Sequence, residues 1–478
     1  MKVTKGYCGD RVASFSRRDA LKATSAGFGY LAFSSMAAAA AAEREGSALS
    51  GRDPHFAPRA KRVIFLCMRG GPSHVDSFDY KPELSANGGK ASKYAGSALC
   101  PSLWEYKQRG ESGLWISELF PHVAEHADDL CLLRGMHCDQ PSHAQAFVQM
   151  HTGNFQFVRP SMGAWALYGL GTENENLPGF ISINPPTAVG GAQNYGSAFL
   201  PAAYQGTRFA ITDSSQRNRS IDVKRRGEAN DDGVRNIRNG YLTEREQAAQ
   251  LELINRLNEE KLRREGHAPL VEGAIESYEL AFRMQDSVPA VMDLSSETAE
   301  TRALYGIDED PTDGFGRQCL LARRFAEAGV RFIELGHGSW DQHNNLEVSL
   351  GGNGAETDKP IAGLLADLKR RDLLKDTLVV WGGEFGRTPH SPDANGRDHN
   401  HKGYTMWMAG GGVKGGFSYG ATDELGYEAV SGKMHVHDWH ATILYLLGLD
   451  HERLTFRHAS REMRLTDVHG SVAKEILL

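Results

Sequence analysis

The 478-residue chain is poor in cysteine and has no Lys/Arg run. It has no internal repeat and no strongly apolar stretch of the about 20 residues that a membrane span needs. Each absence excludes something. Cys8 lies at the extreme N-terminus, which leaves Cys67, Cys100, Cys131, Cys138 and Cys319. An odd number at irregular spacing is no disulfide framework. One bridge, Cys131–Cys138 or one using Cys100, stays open in an oxidising compartment. With no basic run and a formal net charge of -7, no nucleic-acid partner is expected. What remains is ordinary globular composition, 40% hydrophobic and 24% charged. The length suffices for one large α/β domain or two smaller ones.

The N-terminus stands apart. Ser16 to Glu43 reads SRRDALKATSAGFGYLAFSSMAAAAAAE. Ser16-Arg17-Arg18-Asp19-Ala20-Leu21-Lys22 resembles a twin-arginine export motif, with Ala20 where a bulky apolar residue is usual. A mildly apolar stretch follows, then an alanine run offering cleavage near Ala42. We expect a signal peptide over 1–42, a linker over 43–60 and a single mature domain over 61–478. A short membrane anchor or an alanine-rich helix is the other reading. Cleavage takes the net charge from -7 to -11, because the leader holds six Lys/Arg and two Asp. Twin-arginine export moves folded proteins, often with metal already loaded. The expected location is therefore the periplasm, with the export machinery as a partner and no stable membrane span after cleavage.

The mature chain alternates apolar runs with helical patterns. Arg62 to Met68 is a continuous apolar run, as in a buried parallel strand. Leu130 to Leu133 is a second. A helix over 315–329 leads into VRFIEL, and a helix over 358–374 leads into TLVVW. That β-α-β order predicts a parallel sheet. Helical and loop insertions are expected over about 154–300. Residues 154–205 read as long surface loops, and 243–285 as a charged, solvated helix pair with apolar positions at Leu251, Ile254, Leu257 and Leu262.

Two polar segments follow the late strands: GHGSWDQH, Gly336 to His343, and GGEFGRTPHSPDANGRDHNH, Gly382 to His401. They supply Asp341, His343, Glu384, Asp398, His399 and His401. Such carboxylates and imidazoles suit zinc, manganese or iron, and α/β proteins build sites just past the carboxyl ends of parallel strands. Asp341 and His343, two apart in an extended segment, point to one side and can share an ion. Glu384 reads as a site residue or as a salt-bridge partner of Arg387. His337 and His390 read as loop or supporting residues. His435, His437 and His440, beside a helix start, read as groups bonding backbone or reaching the site. Ser73, His74, Asp76 and Asp79 follow the first strand. There Asp76 reads either as a carboxylate completing a second ion site or as cap and turn chemistry. Ser142 falls at a predicted helix N-terminus, where backbone N–H groups favour an anion or a developing alkoxide. It reads as an attacking hydroxyl or a plain N-cap, with His143 the alternative site residue.

Many segments in order resemble the alkaline phosphatase–sulfatase superfamily, and more closely an exported bacterial family of unknown function within it. They include AKRVIFLCMRGGPSHVDSFDYKPEL, SELFPHVAEHADDLCLLRGMH, HAQAFVQMHTG, PSMGAWALYGLG, LLARRFAEAGVRFIEL, WDQHNN, DTLVVWGGEFGRTP, GRDHNH and HDWHATILYLLGLDH. The resemblance implies a three-layer α/β/α sandwich with a mostly parallel central sheet. It implies one or two divalent ions (Zn, Mn, Fe, Ca or Mg) beside a nucleophile, here Ser142. One ion falls to Asp341, His343 and a late histidine, His399 or His401. A second falls to Glu384 with Asp76 or Asp398. Arg387 or Arg397 would clamp the anion. The sequence departs from the superfamily in three places. Met68-Arg69-Gly70 stands where a metal-binding Asp ends the first strand, Phe385 where a histidine ligand is common, and the sulfatase signature C-x-P-S-R is absent. The expected function is a periplasmic hydrolase of a phosphate or sulfate ester on a small molecule or glycan. The alternatives are a non-catalytic metal- or ligand-binding protein and a phosphomutase-type transferase.

Overall fold

The computed structural model describes residues 49–211, 241–265, 269–392 and 395–478. The signal peptide expected over 1–42 and the start of the linker lie outside the described residues. The central sheet is built from Arg62–Met68 (β1), Leu130–His137 (β2), Phe180–Ile183 (β3), Thr207–Phe209 (β4), Phe332–His337 (β5), Thr377–Gly382 (β6), Tyr404–Gly410 (β7), Phe417–Tyr419 (β8) and Met434–His435 (β9). Their order is β8-β2-β7-β6-β1-β5-β3-β4, with β9 alongside β2. Strand β7 runs antiparallel to β2 and β6, and the other pairings are parallel. The two late strands expected from VRFIEL and TLVVW thus flank β1, one on each side.

Every residue of β1, β3 and β6 is buried. Successive side chains on a strand point to opposite faces, so both faces are covered. The longer helices among the described residues are His143–Thr152 (α1), Met162–Leu170 (α2), Glu244–Glu265 (α3), Pro269–Met292 (α4), Asp313–Glu327 (α5), Leu346–Arg370 (α6) and Val436–Leu446 (α7). On one face Phe65 meets His151 of α1 and Trp439 of α7, at ring-centroid distances of 6.0 and 5.7 Å. On the other, Phe209 meets Phe325 of α5 at 5.3 Å, and Trp381 meets Phe78, Phe120 and Trp340. Helix, sheet and helix make the three layers of a mixed α/β fold.

Two expectations need correction. Residues 154–205 are not surface loops: they contain α2, with Trp165 fully buried, and β3, which extends the central sheet. Glycine, proline and aromatic residues there serve close packing rather than solvation. The helix expected at 358–374 begins at Leu346, because buried Leu346, Leu350, Ile361, Leu364, Leu365 and Leu368 override the poor propensity of Gly351, Gly352 and Gly354. The five described cysteines are free thiols and all are buried, so the bridge left open above is absent. No helix among the described residues is long and apolar enough to cross a membrane.

Gly363 shows how tightly α6 packs. A Cβ there would lie 2.4 Å from the Leu304 carbonyl oxygen. Alanine is the better helix former by about 1 kcal/mol. Gly363→Ala is nonetheless predicted to lower stability, by about 1–3 kcal/mol from overpacking. The check is a fall in the urea midpoint at unchanged slope.

Candidate metal centre

The site lies beyond the carboxyl ends of β1, β5 and β6, where neighbouring parallel strands release their chains. One buried side chain ties these three exits together. The Arg387 guanidinium donates from Nε to the Gly71 carbonyl at 3.0 Å and from Nη1 to the Arg397 carbonyl at 3.0 Å. Its Nη2 donates to the carbonyls of Gly70 and Trp340 and to Asp341 Oδ1. Gly70 is required there: it has φ +118°, and a Cβ would lie 2.7 Å from the Asp341 backbone nitrogen.

Four side chains converge on one point: His143, Asp341, His343 and His399. The Nε2 atoms of His143 and His343 lie 3.1 Å from the Asp341 carboxylate, and Nε2 of His399 lies 3.3 Å from it. His343 and His399 face each other Nε2 to Nε2 at 3.0 Å. Each imidazole is held from behind by an acceptor. Nδ1 of His143 donates to Glu384 at 2.7 Å, Nδ1 of His343 to Asp398 at 3.2 Å, and Nδ1 of His399 to the Pro141 carbonyl at 2.7 Å. A proton on each Nδ1 leaves the Nε2 lone pairs aimed at a carboxylate. That arrangement repels itself unless a cation sits between, either a metal ion or a second proton on a ring, and bonding through Nδ1 is how metal-binding histidines are oriented.

Without an ion, a proton on His143 takes part of that role. Burial works against charge on His143, yet Asp341 and Glu384 outweigh it and raise its pKa to about 9. Burial would also raise Asp341, but hydrogen bonds from His143, His399 and Arg387 hold it well below the carboxylate range. Three imidazoles and one carboxylate form a zinc-class donor set, so these residues fit a divalent ion.

The other candidates sit differently. Glu384 is fully buried, accepts from the Gly70 backbone N–H at 3.1 Å and orients His143, so it supports a ligand without joining the four. Asp398 stands behind His343 in the same way. His401 is not in the group; burial lowers its pKa, and its carbonyl accepts from Cys138. Asp76 is not brought to the cluster, because both its oxygens are engaged by Arg397, at 2.6 and 3.0 Å, and one also by Ser73. Arg397 spends its remaining N–H groups on the carbonyls of Cys100, Pro101 and Thr388. Neither Arg387 nor Arg397 can present a clamp to an anion, because each is buried and spent inside the protein. Ser142 is exposed and caps α1 without a side-chain cap bond. His337 bridges Trp340 and Glu356, while His437 and His440 bond the carbonyls of Gly153 and Met150.

Sequence reasoning placed His143 beside the nucleophile; the structure makes it a member of the ion cluster. It also missed the Pro141 carbonyl and Arg69. Arg69 follows β1 and makes no side-chain hydrogen bond or ion pair among the described residues. Its guanidinium lies against Gly338, where a Cβ would come within 2.6 Å of Nη2. Gly338 and Asp341 both line an open polar cleft of about 650 Å³, with Ser339, Gln342 and Glu356.

Fold and site together define a mixed α/β protein whose metal-suited residues gather at the ends of its central strands. The chain belongs to the family described as Protein of unknown function (DUF1501), which matches residues 60–477. No curated protein matches the chain. Similar solved structures include the PsFucS1 sulfatase from Pseudoalteromonas sp., at 13% identity and TM-score 0.35, covering 82% of this chain and 69% of that one. Another is TAB5 alkaline phosphatase with Mg bound in its M3 site, at 10% identity and TM-score 0.32, covering 82% and 99%. A third is the C-terminal periplasmic domain of EcEptC from Escherichia coli in complex with Zn, at 9% identity and TM-score 0.35, covering 86% and 95%. Likeness of this degree carries no argument about chemistry.

The two aspartates therefore separate in a double measurement. Asp76→Ala leaves Arg397 as an uncompensated buried charge and is predicted to cost about 3–5 kcal/mol in urea unfolding, with zinc stoichiometry at the outer cluster retained. Asp341→Ala is predicted to lose the outer ion. Equal loss of that ion in both variants would contradict this assignment.

Proposed function

We propose that this protein is a metal-dependent hydrolase of phosphate or sulfate esters, acting in the periplasm on a small molecule or glycan. The observation that carries the reading is the convergence of three imidazole Nε2 atoms on Asp341 at the lip of an open polar cleft. Supporting it are the resemblance to the alkaline phosphatase–sulfatase superfamily and the twin-arginine pattern at Arg17-Arg18.

His143, Asp341, His343 and His399 would hold the ion, with Glu384, Asp398 and Pro141 fixing the rings. A divalent ion there supplies Lewis-acid polarisation of an ester oxygen. Ser142 offers a hydroxyl at the N-terminus of α1, one residue before His143. There the helix end favours negative charge on the attacking oxygen and on the bound anion. In the covalent route its oxygen bonds to phosphorus or sulfur as the ester bond breaks. The alcohol leaves with a proton, and water then frees Ser142. Arg69, rather than Arg387 or Arg397, is the cation left to meet the anion. With Asp76 committed to Arg397, the resemblance's second ion finds no ligand there.

Turnover of aryl phosphate and aryl sulfate panels by the zinc- or manganese-loaded mature protein tests the reading. Asp341→Ala is expected to abolish turnover. Arg69→Ala is expected to lower kcat/KM roughly ten- to a hundredfold, the worth of a charged hydrogen bond of about 1.5–3 kcal/mol. Glu384→Gln is expected to weaken the ion by about 10–100-fold. Ser142→Ala at full activity would leave direct attack by water. No turnover of either ester class by loaded protein, or full turnover in Asp341→Ala, would overturn the reading and leave a metal-binding protein.

A further inference from the structure

A second group of donors lies inside the protein and plays no part in the proposed hydrolysis. It consists of Cys67 on β1, Glu334 on β5 and His151 near the end of α1. Strand register puts them together: Phe65 pairs with Glu334, and Cys67, two residues on, projects from the same face. Helix α1 covers that face through the contact of Phe65 with His151. One donor atom from each residue lies within 4.8 Å of the others. All three side chains are sealed from water, at 1, 1 and 2% exposure for Cys67, Glu334 and His151.

The hydrogen bonding is unfinished. His151 Nδ1 donates to the Phe147 carbonyl at 2.8 Å, which leaves Nε2 as the lone-pair nitrogen. Nε2 lies 3.4 Å from Glu334 Oε2, and neither atom has a hydrogen-bond partner. The Ser182 hydroxyl donates to the other Glu334 oxygen at 3.4 Å. A buried carboxylate oxygen and a buried imidazole nitrogen side by side need a cation between them, a proton or a metal ion.

We propose that Cys67, His151 and Glu334 form a buried site for a zinc-class divalent ion, distinct from the cluster at the strand ends. Thiolate, imidazole and carboxylate are the ligand types zinc takes, at about 2.0–2.3 Å. At those lengths two donors on one tetrahedral ion lie about 3.3–3.8 Å apart, and His151 Nε2 and Glu334 Oε2 lie 3.4 Å apart. The charges also close: a thiolate, a carboxylate, a neutral imidazole and a divalent ion sum to zero, as a dry core requires. Binding releases the Cys67 thiol proton. Burial keeps Cys67 from acting as a nucleophile, since no substrate reaches it. The ion would join β1, β5 and α1, the elements that deliver Gly70, Asp341 and His143 to the outer cluster. The inference does not depend on the hydrolase reading.

Cobalt separates the two sites, because only the inner one has a thiolate. Mature protein loaded with Co²⁺ during refolding is expected to show a near-ultraviolet thiolate-to-cobalt charge-transfer band. The band should persist in Asp341→Ala and vanish in Cys67→Ala. Metal analysis should find one ion per chain fewer in Cys67→Ala and in His151→Gln, and one ion remaining in Asp341→Ala. A chelator should strip the outer ion before the inner one. No thiolate–cobalt band in the wild type, or no ion left in Asp341→Ala, overturns the proposal without any Cys67 variant having to fold. An unchanged band and metal content in Cys67→Ala also overturns it.

Discussion

The site depends on one buried cation. Arg387 sits where β1, β5 and β6 end, and its guanidinium binds carbonyls from the chain leaving β1 and from the chain leaving β5, together with the Asp341 carboxylate. It also takes the Arg397 carbonyl, in the loop that carries Asp398 and His399. A planar fork with several donors can hold that many acceptors at fixed angles, and a lysine ammonium cannot. Fixing Asp341 fixes the point on which the imidazoles converge. Burial pulls the Arg387 pKa down, and Asp341 works against that pull. Position and charge are therefore set by the same contact.

The same logic recurs one loop away. Arg397 and Asp76 are both fully buried and pair across 321 residues of sequence, joining the turn after β1 to the loop before His399. Buried pairs of this kind add little net stability, but losing one partner is costly. They act as registration devices for loops that have no regular structure of their own. This explains why the arginines nearest the site cannot serve a substrate: their capacity is spent on building it. Arg69 remains because its guanidinium lies against Gly338, which lines the cleft, and makes no side-chain hydrogen bond or ion pair among the described residues.

Helix α1 links the two donor groups. His143 opens it and faces the strand ends, while His151, two turns later, faces the interior of the sheet. Strand β5 likewise carries Glu334 within and leads to Asp341 outside. Carboxylates at both levels are matched by imidazoles on one rigid helix. A shift of α1 along the sheet would disturb both groups at once.

Strands β1, β2, β5 and β6 were legible because each is a continuous apolar run, and the parallel order of β1, β5 and β6 followed from the helices between them. Asp341 and His343 were expected to meet by alternation along an extended chain; they do meet, but in a tight turn in which the His343 N–H donates to the Asp341 carbonyl at 3.1 Å. Helix α5 needed only its periodicity. Strand β3 was not legible: four residues among glycines and prolines carry no periodic signal, and only its neighbours make it a strand. The competing roles of Asp76, Arg387 and Arg397 were equally closed to sequence reading. Charge type was evident, but partners 46 to 321 residues away were not. Cys67 read as a small core residue because nothing local announces Glu334 and His151. The sequence by itself determined the four long apolar strands and which residues can bind cations. Only tertiary structure decided which of those residues meet, because a ligand set is a matter of distance and of which hydrogen bonds are already taken.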